Sequence, residues 1–232
     1  TAQDMQIRDV VALMSFNETS LEQNSYRKQI NSVYGAVNVG WKHLVYLDAT
    51  LRGDQSSTLP IGNNVYVYPS FSGSFVFSEL LKQSDLMPYG KFRLSWAQVG
   101  SDTDPYQLGL VYSKSKFTYP GYTIGYINNS TMPNKNLKPT KTNSFELGLE
   151  MKFLKNRIGL DFTYYTQNSK NQIMGMASSW TSGYNYRLIN AGEIENKGIE
   201  IALNTRPIEL KDFSWDLNLN FSKNSNKVKK LV

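Results

Sequence analysis

Along most of this chain apolar and polar residues alternate one for one, the signature of strands with a single apolar face. Phe145, Leu147, Leu149, Met151 and Phe153 alternate with Glu146, Gly148, Glu150 and Lys152. After Lys155-Asn156-Arg157 the pattern resumes with Ile158, Leu160, Phe162 and Tyr164. Ile199, Ile201 and Leu203 form a third set, and Trp215, Leu217, Leu219 and Phe221 a fourth. In the front half, Val33, Gly35, Val37, Val39 and Trp41 share a face, as do Val45, Leu47, Ala49 and Leu51. Phe71, Phe75 and Phe77 fit a strand beginning near Val65, and Phe92, Leu94 and Trp96 a strand from about Gly90 to Gly100. With a weaker opening segment, Ile7 to Thr19, this predicts about nine strands. Gln3 to Leu13 lacks the capping signals and the sustained 3.6-residue period of a helix.

Two features separate these strands from those of a soluble sandwich. Alternation persists for about 9–15 residues, against ~5–6 in an average globular strand, while a tilted strand crossing a bilayer needs ~9–11. The connections also alternate in length. Short turns are expected at 42–43, about 80–89, 155–157 and 207–212, and long polar loops at about 53–64, 102–140 and 168–192. One end of the sheet is trimmed and the other elaborated, as in outer-membrane barrels with short periplasmic turns and long external loops. Trp41, Tyr89, Phe92, Phe153, Phe213 and Trp215 fall near the short turns, and Tyr68, Tyr164 and Tyr165 toward the long loops, as interfacial girdles would. Aromatic residues are also simply good strand formers. The fold expected is all-β, an antiparallel transmembrane β-barrel segment.

Composition changes this picture little. Only 40% of the 232 residues are hydrophobic, which suits barrel strands that show lipid every second side chain. There is no cysteine, so no disulfide framework or thiolate metal site can form. The net charge of +6 is scattered except near the end, at Lys223, Lys227, Lys229 and Lys230, which argues against a nucleic-acid binder. Thr1-Ala2-Gln3-Asp4 does not read as a secretory signal, and the chain is expected to be mature or a fragment.

Leu51-Arg52-Gly53-Asp54-Gln55-Ser56-Ser57, then Tyr68-Pro69-Ser70, resembles a stretch typical of the SusC/RagA class of TonB-dependent outer-membrane transporters. Lys91 to Gly100 looks like the strand that follows it there. Asn134-Lys135-Asn136-Leu137-Lys138-Pro139-Thr140, then Glu146 to Glu150, resembles a segment common to TonB-dependent receptors, and so does Asn190-Ala191-Gly192-Glu193-Ile194-Glu195-Asn196-Lys197-Gly198. Order and spacing match from about residue 30 onward. Lys135, Thr140 and Gly53 depart from the usual pattern at strand and loop edges. The resemblance implies that 1–232 is part of a 22-strand barrel in a bacterial outer membrane, with a plug domain and final strands outside this chain. It also implies a SusD-like surface lipoprotein and TonB as partners, outer-membrane lipid around the barrel, and a glycan or oligopeptide as cargo.

Candidate chemistry is sparse. His43 is the sole histidine and has no cysteine to join it in a zinc site. Asp102 and Asp104 with Asp85 lack the loop of an EF-hand. Arg52-Gly53-Asp54 reads as a strand edge, and the sequons at Asn17 and Asn129 as coincidences. No phosphate cradle, cofactor signature or catalytic constellation stands out, so an enzyme is not expected. The candidate substrate-binding residues are aromatic side chains of the long loops: Tyr106, Tyr112, Tyr119, Tyr122, Trp180, Tyr184 and Tyr186. Rings beside polar groups suit sugars or peptides, though they could equally pack together to order the loops. Rival readings are another outer-membrane barrel, such as a siderophore receptor or porin, and a secreted soluble all-β adhesin.

Overall fold

The computed structural model describes residues 2–5, 16–19, 25–81, 85–110, 112–114, 120, 122, 124–127 and 131–231. One antiparallel sheet dominates. Its long strands are β3 (Ile30–Trp41), β4 (Val45–Ser56), β5 (Val65–Phe75), β6 (Tyr89–Ser101), β10 (Thr140–Phe153), β11 (Ile158–Ala177), β12 (Tyr186–Glu209) and β13 (Ser214–Lys230), each paired with the next. Two short hairpins stand apart: β1 (Ala2–Met5) with β2 (Phe16–Thr19), and β7 (Tyr112–Lys114) with β8 (Gly125–Ile127). The two-residue β9 (Thr131–Met132) lies parallel to the start of β12. Most of the expected opening strand, residues 7–15, lies outside the described residues.

Directly opposed residues in an antiparallel pair share a face. The register therefore assembles the alternation of eight strands into one surface. A single row runs through Trp41, Val45, Phe75, Phe92, Leu149, Phe162, Ile201 and Phe221. The opposite face carries Asn38, Asp48, Ser72, Ser95, Glu146 and Tyr165 in another unbroken row.

Among the described residues no second layer covers the apolar face. Leu47 and Phe221 remain 56% and 55% exposed. The buried hydrophobics among the described residues are only Leu59, Tyr66, Val76, Leu137 and Ala191. A soluble sandwich would bury such a face against a second sheet; here it is left for lipid.

The apolar band runs obliquely to the strands. Its upper limit, toward the long loops, is Val33 on β3, Trp96 on β6, Phe145 on β10, Ile199 on β12 and Phe221 on β13. The row through Phe221 meets β3 at Trp41, eight residues from Val33 and seven strand steps away. A slope of about one residue per step, at ~3.3 Å per residue and ~4.8 Å between strands, is a tilt of roughly 35°. Membrane barrels tilt their strands by about that much.

The connections alternate only in part: β5 stops at Phe75, Phe77 opens a short 3-10 helix instead of extending the strand, and 76–88, expected as a short turn, is longer than either 57–64 or 178–185. Lys42–Leu44 and Leu154–Arg157 close tight turns in which Lys42, His43, Leu154, Lys155 and Asn156 take left-handed backbone conformations, the hand that suits a twisted hairpin. The expected long loop at 168–192 is not a loop: β11 and β12 continue through it as a projecting hairpin, leaving 178–185 as the connection. The loop expected at 53–64 begins only after Ser56. Polar residues there reflect the loss of lipid contact and not the loss of strand. Three of the expected girdle residues also lie elsewhere, since Tyr68, Tyr89 and Tyr165 share the polar face with Arg52, Lys152 and Glu146.

Candidate functional site

The polar face and the long-loop end form one continuous candidate site. Its wall is held by cross-strand polar pairs. Arg93 on β6 reaches across β10 to Asp161 on β11, with one guanidinium nitrogen 2.8 and 3.2 Å from the two carboxylate oxygens, and Glu150 is 3.7 Å away. It can do so because Gly148 lies between them: a Cβ there would stand 2.7 Å from the Arg93 Nε. Further along, the Tyr165 ring lies over Gly198, and its hydroxyl accepts a 2.8 Å hydrogen bond from Asn224. These pairs satisfy charged and polar groups while leaving the face wettable.

At the long-loop end the wall meets a small apolar cluster. Leu137 is fully buried with Leu59 and Tyr66, and Tyr68, Leu108, Ile173 and Leu188 pack around them. The Tyr66 and Tyr68 rings stack 5.9 Å apart. Gly100 makes room for Tyr66, whose ring would lie 2.5 Å from a Cβ at that position. Leu59 of the connection 57–64, and Leu108 and Leu137 from the long connection after β6, are thus gathered against Ile173 and Leu188 of the projecting β11–β12 hairpin.

Two polar knots lock the cluster. Tyr68 donates to Asp54, which also takes a 2.9 Å bond from Arg52. Asp102 accepts from Lys28 at 2.5 Å and from Ser56. Burial opposes ionisation of Asp102, but these donors and the Lys28 charge outweigh it and hold the carboxyl below its ordinary range. Asp102 and Asp85 lie at opposite ends of β6, and Asp85 pairs with Lys155 at 3.3 Å, so the two do not form one cation site.

The candidate aromatics occupy two places. Trp180 and Tyr184 sit in the β11–β12 connection, and Tyr186 begins β12. Trp180 is 81% exposed and Tyr186 exposed, whereas Tyr184 is half-buried. Tyr106, 59% exposed, accepts a 3.1 Å hydrogen bond from the Arg27 backbone, and Tyr122 is exposed in the same long connection. The backbone of Tyr112 belongs to β7, and Tyr119 lies outside the described residues. Sequence reasoning missed the Asp54–Tyr68 and Asp102–Lys28–Ser56 knots. Their only signal was the carboxylates at the strand ends.

A family model, TonB dependent receptor-like, beta-barrel, matches residues 4–229. The chain belongs to this family. It lies in the outer membrane of a bacterium as a multi-pass segment of β-barrel, and its family is one of receptors for transport. The chain is 29% identical over 221 residues to TonB-dependent receptor SusC of Bacteroides thetaiotaomicron, covering 91% of this chain and 22% of that protein. To TonB-dependent receptor P3 of Formosa agariphila it is 29% identical over 217 residues, with the same coverage. It spans about a fifth of the length of these relatives. Among solved structures, the RagAB peptide transporter superposes with a TM-score of 0.86 at 22% identity, over 97% of this chain and 25% of that one. For the siderophore receptor PirA from Pseudomonas aeruginosa the TM-score is 0.58, over 87% of this chain and 35% of that one. The resemblance to the SusC/RagA class noted in the sequence is confirmed.

Proposed function

We propose that this chain forms part of the wall and outer mouth of a SusC-like importer that passes a captured glycan or oligopeptide across the outer membrane. The observation that carries the reading is the division of one continuous sheet into a lipid-facing apolar side and a polar side. The polar side leads into connections packed over its outer end. In this reading a SusD-like surface lipoprotein delivers the cargo above the mouth, and TonB, acting through a plug domain, supplies the energy.

Trp180, Tyr184 and Tyr186 on the projecting hairpin, with Tyr106, Tyr112, Tyr119 and Tyr122 of the long connection, are the proposed contacts for cargo. Aromatic faces present large area at low conformational cost. Exposed Trp180 and Tyr186 are free to offer theirs.

The test is growth of a deletion strain, complemented with the full-length gene, on single glycans or peptide mixtures as sole nutrient. The reading predicts a defect confined to one such class, and about tenfold weaker binding of that nutrient by Trp180→Ala/Tyr186→Ala. A defect only in ferric chelate uptake would replace it with a siderophore receptor. No TonB dependence would replace it with a passive pore.

A further inference from the structure

Beyond the apolar band, the lipid-facing side of the sheet becomes basic, but only on four strands, at once on β12 and β13 and after Asn143 and Asn168 on β10 and β11. Lys223 and Lys197 occupy the first lipid-facing positions above Phe221 and Ile199. Lys141 and Lys170 are directly opposed on β10 and β11, two rungs above Phe145. Lys227 is opposed to Glu195 on β12. All five are exposed. Lys229 and Lys230 continue the group at the end of β13.

The acidic residues on this surface are Glu193 and Glu195. Glu195 is engaged by Lys229 at 3.0 Å and Lys197 at 3.8 Å, and Glu193 by Lys170 at 3.5 Å. Lys141, Lys223 and Lys227 make no ion pair within 4.0 Å among the described residues. At the corresponding height, β3 to β6 present Asn31, Gly53, Gln55, Val67 and Gln98. The positive charge is therefore local, and its background is neutral.

We propose that this collar binds the phosphate groups of a phosphorylated lipid in the outer leaflet, whose acyl chains lie on the apolar band below. The occupant follows from two observations. The patch is continuous with the lipid-contacting band along the same strands, and its excess of lysine over glutamate matches an anionic headgroup at that depth. A hollow lined by Lys170, Arg187, Glu193 and Lys230 lies at the upper edge of the patch, but Lys141, Lys197, Lys223 and Lys227 stand outside it on the strand surface, where a lipid is held by both its chains and its charge.

The experiment uses the full-length barrel in neutral detergent micelles, titrated with lipid A carrying its phosphates and with enzymatically dephosphorylated lipid A. The variant is Lys141→Gln/Lys170→Gln/Lys197→Gln/Lys223→Gln/Lys227→Gln, with the matching five Lys→Arg changes as a second variant. Wild type is expected to prefer the phosphorylated form by at least about tenfold. The glutamine variant is expected to lose that preference, and the arginine variant to keep it, at unchanged heat-modifiable migration. Equal binding of the two lipids by wild type, or an unaltered preference in the glutamine variant, overturns the proposal. Competition by millimolar inorganic phosphate with equal effect on both lipids also overturns it, because a soluble anion would then be the ligand.

Discussion

The Asn190 carboxamide brackets Lys138: its oxygen accepts from the Lys138 backbone N–H at 2.7 Å, and its nitrogen donates to the Lys138 carbonyl at 2.7 Å. The same nitrogen is 3.0 Å from the Asn171 carbonyl. The segments 134–140 and 190–198, each recognisable in the sequence as a family-like motif, are thereby halves of one clamp. Asn134 adds a 3.1 Å bond to the Leu188 carbonyl, and Leu137 fills the apolar cluster between them.

Asn190→Ala should therefore loosen the mouth and leave the barrel intact. Exposed hydrogen bonds contribute about 0.5–1.5 kcal/mol each, so a local loss of about 1–3 kcal/mol is expected. Hydrogen exchange of the full-length protein should speed up at 131–140 and 186–190, with no change at 145–153. Leu137→Ala should have the larger effect, about 2–4 kcal/mol, because it opens a cavity at a fully buried position.

Gly198 and Gly148 both sit beneath a neighbouring side chain, but they should respond differently to alanine. A Cβ at Gly198 would lie 2.7 Å from both the Lys223 carbonyl oxygen and the Tyr165 hydroxyl, and backbone cannot step aside. A cost of about 1–3 kcal/mol is expected for Gly198→Ala. At Gly148 the obstacle is the mobile end of Arg93, so Gly148→Ala should cost less while displacing Arg93 from Asp161. Urea midpoints of the two full-length variants in the same detergent give the order directly.

Acid should release the Asp102 knot late. Because the folded carboxyl is held below its ordinary value of ~3.9, the contribution of the Lys28 and Ser56 contacts is complete above that value. It is lost as pH falls through the depressed one. Pepsin cleavage within 57–64 and 102–110 should stay slow as pH falls to the ordinary carboxylate value and accelerate only below it. Lys28→Met should bring the acceleration to higher pH.

Much of this fold was legible in the sequence because barrel strands obey a period of two, and because lipid demands the apolar phase without interruption from Phe145 to Phe153 or from Trp215 to Phe221. The hairpin beyond Lys170 was not legible as strand. Its residues leave the bilayer there, so neither phase has to be apolar, and Gln172 to Ala177 read as loop although they pair with Tyr186 to Ala191. The aromatic loop positions were readable as composition. The knots around Asp54 and Asp102 depend on register between distant strands, and a single sequence does not reveal which carboxylate meets which donor.

The central claim is that the apolar face contacts hydrocarbon. The absence of native cysteine in this chain simplifies a scan of single cysteines along β10 from Phe145 to Lys152, placed in the full-length protein, labelled with a bimane fluorophore and reconstituted with brominated lipid. The account predicts strong quenching at 145, 147, 149 and 151, and weak quenching with access to aqueous iodide at 146, 148, 150 and 152. The opposite phase, or uniform quenching along the strand, would contradict it.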